Sequence, residues 1–62
     1  MSREEDRFLS SLYNAVYELH RLLSRSLLRV DWNPDEEAFV RATLGILREL
    51  LSIVESKRRG EV

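Results

Sequence analysis

Along the second half of the chain, apolar residues recur at helical spacing in two adjoining rows. Phe39, Ile46, Leu50 and Ile53 form one; Val40, Leu44, Leu47, Leu51 and Val54 form the other. At 100° per residue the rows merge into an apolar sector covering about half the helix circumference. A helix packed on one neighbour needs a stripe of roughly 100°. The pattern therefore predicts a helix with two apolar contacts to make, one more than a short chain can supply from within itself.

The first half repeats the theme. Phe8, Leu9, Leu12, Ala15, Val16, Leu19, Leu22, Leu23 and Leu27 fall in a sector of roughly 140°. Tyr13, Tyr17 and His20 extend one flank, and Arg3, Arg7, Asn14, Glu18, Arg21, Arg25 and Arg29 take the opposite side. Neither Gly nor Pro interrupts Phe8 to Val30. Ser2 followed by Glu5 reads as a capping box, with Glu4, Glu5 and Asp6 where a helix dipole is positive. Asp31-Trp32-Asn33-Pro34 then reads as a turn into a new helix, Asn33 the N-cap and Pro34 the first helical residue. These signals predict one domain over residues 1–62: helix 3–29, turn 30–33, helix 34–58 and a frayed tail 59–62. So short a link returns the second helix antiparallel to the first. Trp32 is expected to fold over the hairpin end near Leu27 or Leu28.

The predicted fold class is all-α, an antiparallel two-helix hairpin dimerising into a four-helix bundle. In a lone hairpin each helix covers only the strip facing its sibling. An apolar patch of at least several hundred Å² stays wet, beyond what soluble monomers usually expose. Burying some 1,500 Å² of apolar area between two hairpins is worth tens of kcal/mol before entropic costs, at about 25 cal/mol per Å². Twofold symmetry closes such an assembly most simply. The residues expected in the core and dimer interface are Leu9, Leu12, Val16, Leu19, Leu23, Phe39, Val40, Ile46, Leu47, Leu50, Ile53 and Val54.

Composition narrows the function classes. The 62 residues hold no Cys and one His, so neither disulfides nor a thiolate or His-cluster metal site is expected. No paired carboxylates, nucleophile–base set or Gly-rich loop is evident; no catalytic residue, metal or cofactor is assigned, and a non-enzymatic role is expected. The net charge of −1 does not describe a polycation made for nucleic acid. No apolar run reaches 18 residues, and the N-terminus lacks a secretory apolar core, so a cytoplasmic location is the default. Ten basic residues include one Lys, and Gln is absent. That bias suits a hot environment and a GC-rich genome equally well.

Charge placement favours the antiparallel hairpin. Arg25 and Arg29 end the first helix beside acidic Asp35, Glu36 and Glu37, and Lys57, Arg58 and Arg59 end the second beside Glu4, Glu5 and Asp6. On the outer side of the second helix, Ala38, Ala42, Gly45, Ser52 and Ser56 make a strip of small residues edged by Arg41, Arg48 and Glu49. Ala42, Gly45, Arg41, Arg48 and Glu49 are the expected docking surface for a macromolecular partner, with protein favoured.

Two capped helices of this length, a tight turn and a paired bundle resemble the Rop family of small plasmid-encoded RNA-binding hairpin dimers. They resemble equally the small helical-hairpin proteins of archaeal viruses proposed as adaptors. The likeness is architectural, spans nearly the whole chain and carries no shared motif. It implies either a homodimeric adaptor or regulator, or a nucleic-acid-binding regulator. Under the second reading Arg3, Arg7, Asn14, Arg21 and Arg25 would be the contacts, with no exposed aromatic at the centre of that face.

Overall fold

A computed structural model, describing residues 2–60, contains two helices: α1 (Arg3–Arg29) and α2 (Pro34–Arg58). Local chemistry accounts for their ends. The Ser2 hydroxyl accepts the Glu5 amide at 3.0 Å, satisfying one of the unpaired donors of the α1 N-terminus. α1 stops where Val30 turns extended, its N–H still donating to the Ser26 carbonyl at 2.9 Å. At α2 a complete capping box forms. Asn33 Oδ1 accepts the Glu36 amide at 2.8 Å, and Glu36 Oε1 accepts the Asn33 amide at 3.1 Å. Pro34 follows at the position where a missing N–H costs nothing.

α2 ends at Arg58, where the expected tail 59–62 begins. Arg59 caps it, and Gly60 donates its N–H to the Lys57 carbonyl at 3.0 Å with φ +82°, a backbone region that favours glycine. Glu61 and Val62, the remainder of the expected tail, lie outside the described residues.

The helices pack together along a seam. Val16 from α1 and Val40, Leu47 and Val54 from α2 are buried, Val54 to 3% exposure. Leu9, Leu12, Tyr13, His20, Leu23 and Leu27 flank them from α1, and Leu44, Leu50 and Leu51 from α2, all partly buried. Full burial of an aliphatic side chain is worth about 1.5–3 kcal/mol, and partial burial proportionally less. The result is a plank of 45 × 19 × 11 Å, one helix thick. Its radius of gyration is 14.2 Å, where a 62-residue globule would have about 10.6 Å.

Trp32 lies over the hairpin end, but not against Leu28. Its indole N–H donates to Ser26 Oγ at 3.2 Å, and that hydroxyl donates to the Leu23 carbonyl at 2.6 Å. Leu28 is 92% exposed. Its bearing is about 120° from that of Val16, whereas Leu23 and Leu27 fall within about 20° of it.

The expected charge pairing between helices does not form as ion pairs at the link end. Among the described residues, Arg21 pairs with Glu18 at 3.2 Å and Arg41 with Glu37 at 3.1 Å, each within one helix. Arg58, expected beside the acidic start of α1, sits 5.4 Å from the centre of the Tyr13 ring. An exposed ion pair is worth little, so a ring face that also covers the side-chain stem competes well.

Candidate interaction surface

The seam uses only one of the two apolar rows of α2. Val40, Leu47 and Val54 turn inward with Leu44 and Leu51 beside them; Phe39, Ile46 and Ile53 remain 75%, 63% and 57% exposed, with Leu50 partly buried at the boundary. α1 divides the same way, leaving Phe8, Leu19 and Leu22 more than half exposed and Ala15 exposed among them. On each helix this exposed row lies 60–120° to one side of the seam on a wheel of about 100° per residue. The offset has the same sense on both helices. Because the helices are antiparallel, equal offsets place both rows on the same broad side of the plank. Phe8, Leu19, Leu22, Phe39, Ile46 and Ile53 therefore form one continuous apolar face.

Its size is large for so small a chain. The six side chains expose roughly 700 Å², near the ~800 Å² per partner of a standard protein interface. The whole chain exposes 5124 Å², where a compact monomer of 7.3 kDa would expose about 4,200 Å². The excess of roughly 1,000 Å² reflects the flat, elongated shape of the hairpin.

Toward the link the face dips. Leu23, Trp32, Phe39, Val40 and Thr43, with Glu36 at the edge, line a depression of about 330 Å³. A neighbouring hollow of about 270 Å³ between Leu22, Arg25, Ser26 and Arg29 lies on the outer side of α1 and is more polar.

The opposite broad side is different in kind. Tyr13 and Tyr17 stack with centroids 6.4 Å apart and planes 17° from parallel, Arg58 covering Tyr13. His20 lies in the same flank, its Nε2 enclosed without a hydrogen-bond partner, which costs about 1–3 kcal/mol unless offset. This flank is half apolar and half charged, with Arg48 and the Glu37–Arg41 pair beside it.

The structure thus divides the twelve interface residues named from the sequence. Leu9, Leu12, Val16, Leu23, Val40, Leu47 and Val54 belong to the seam within the hairpin, and Leu19, Phe39, Ile46 and Ile53 to the wet face, Leu50 bordering both. Phe8 and Leu22 belong to that face and were missing from the twelve. Their wheel bearings, within 60° of Leu19, were the available signal.

Of the outer strip, Ala38, Ala42, Gly45 and Ser52 are exposed, and a Cβ added at Gly45 would meet nothing within 4 Å. Ser56 is partly buried. Arg48 and Glu49 flank the strip in solvent, while Arg41 is held by Glu37. The basic face of α1 is exposed at Arg3, Arg7, Asn14, Arg21 and Arg25, with Arg21 making two hydrogen bonds to Glu18 on the same helix.

Among the described residues no three His, Cys, Asp or Glu side chains gather as a metal site would require, and no helix is long and apolar enough to cross a membrane. No protein-family model, curated protein or solved structure matches the chain.

Proposed function

We propose that this protein is a non-enzymatic adaptor or regulator that works as a homodimer: two hairpins close their apolar faces into a four-helix bundle, and the outer faces bind another macromolecule. One observation carries the reading. Six large apolar side chains stand more than half exposed on one side of a plank that is one helix thick. Water contact over that area is unfavourable by many kcal/mol at about 25 cal/mol per Å², and a second copy supplies a matching surface.

Closing that face leaves the small-residue strip around Ala42 and Gly45 as the smoothest outer surface, edged by Arg41, Arg48 and Glu49. A partner helix can approach closely where no Cβ intrudes. A protein partner is favoured over nucleic acid because the Glu18 carboxylate already pairs with Arg21 on the basic face of α1.

Sedimentation equilibrium at micromolar concentration tests the assembly: the expected mass is twice the 7.3 kDa chain, and a compact single chain refutes it. Capture from the native host, read by mass spectrometry, tests the outer face. Gly45→Leu should abolish capture while the dimer mass stays unchanged. Binding to structured RNA that weakens steeply with salt would instead favour the phosphate-contact reading.

A further inference from the structure

Resting on the self-association proposed above, we infer that the two hairpins pack with their links at opposite ends, so that Phe8 of each copy seats in the turn-end depression of the other. The apolar face is uneven along its length. Residues at roughly similar distances from the link lie near one level: Phe8 with Ile53 at the open end, Ala15 with Ile46 midway, Leu22 with Phe39 at the link end. The face therefore carries an exposed phenyl ring at each end, Phe8 at 67% and Phe39 at 75% exposure, but a hollow only at the link end, beside Phe39. About 22 Å separate Phe8 from the hollow, since Phe8 and Leu23 lie fifteen residues apart along α1 at about 1.5 Å each.

Two closed arrangements bring apolar face to apolar face. With both links at the same end, each level meets its own level. The two depressions of about 330 Å³ then lie over one another, and each Phe8 meets Ile53 of the other copy. Protein interiors do not leave voids of that size at an apolar contact, and every unfilled volume forfeits dispersion contacts. With the links at opposite ends, the twofold axis crosses the face midway. Phe8 then lies over Leu22, Leu23 and the depression of its partner, and Phe39 over Ile53. An apolar cavity of roughly 150 Å³ already accepts benzene, so the depression has room for a phenyl ring. Ala15 falls at the axis, where its single methyl lets the two α1 helices approach.

The chain lacks cysteine, so single-cysteine variants label cleanly. Asp31→Cys, carrying a nitroxide, should give an inter-label distance of roughly 45 Å by pulsed dipolar spectroscopy, twice the climb from Ala15 to the link at about 1.5 Å per residue. Links at the same end would give less than about 25 Å, the diagonal of a bundle with helices 8–10 Å apart plus the tethers. Ala15→Cys should oxidise to a covalent dimer only where the α1 helices meet at the axis. Phe8→Ala should raise the dissociation constant about 10³–10⁴-fold, two rings being lost per dimer, and Phe8→Leu should recover most of it. A dimer with the short distance overturns this arrangement and leaves the assembly intact. A long distance with Phe8→Ala within twofold of the parent overturns the seat. A single chain at every concentration overturns the assembly itself, and this arrangement with it.

Discussion

Ile46→Glu separates the hairpin from the assembly. Ile46 stands at the middle of the apolar face and is 63% exposed in the single chain. In a protein whose final state is the hairpin, a substitution at so wet a position changes stability by no more than about 0.5 kcal/mol. In the dimer the same side chain is covered. Its exposed share is roughly 110 Å², worth about 3 kcal/mol per protomer at about 25 cal/mol per Å². Symmetry doubles the loss to about 6 kcal/mol, before counting two carboxylates brought close to the axis. At 1.4 kcal/mol per decade, the dissociation constant rises about 10⁴-fold. The assay is sedimentation velocity from nanomolar to 100 micromolar concentration, with circular dichroism on the same samples. The parent should show twice the chain mass and concentration-dependent melting, and the variant a single chain or loss of helix on dilution. Equal mass and equal melting for both proteins would refute the reasoning, because the face would then be indifferent to charge.

Other measurements probe the fold separately. Leu47→Ala, deep in the seam, should cost about 2–5 kcal/mol in urea unfolding, through lost transfer energy and the cavity left behind. Asn33→Ala removes the α2 cap and should cost about 1 kcal/mol by the same assay. Gly45→Ala places a methyl in open space on the outer face; melting should report a gain of about 1 kcal/mol with dimer affinity unchanged. Trp32 is the one tryptophan of the chain and lines the depression, so its fluorescence should shift to the blue as concentration rises through the dissociation constant.

Much of the architecture is local and therefore legible along the chain. Ser2 and Asn33 mark helix starts by accepting the amide of the residue three positions on, and Pro34 by lacking an amide hydrogen. The apolar rows follow from helical periodicity alone. Less legible was the partner each side chain would choose. Arg58 took a tyrosine face, Arg21 and Arg41 took carboxylates on their own helices, and Trp32 took the Ser26 hydroxyl. Polar contacts at or near the surface differ by fractions of a kcal/mol, too little for spacing to rank.

The amino-acid order determined by itself that there are two long amphipathic helices and that each carries a wider apolar sector than one neighbour can cover, because periodicity and capping act within a few residues. Tertiary structure alone decided how those sectors are shared. The rotation of α1 against α2 turned Val16, Val40, Leu47 and Val54 inward, left Phe8, Leu19, Leu22, Phe39, Ile46 and Ile53 together on one side, and set a hollow beside Trp32. That rotation is a compromise among all the seam contacts at once, and no stretch of the chain encodes it separately.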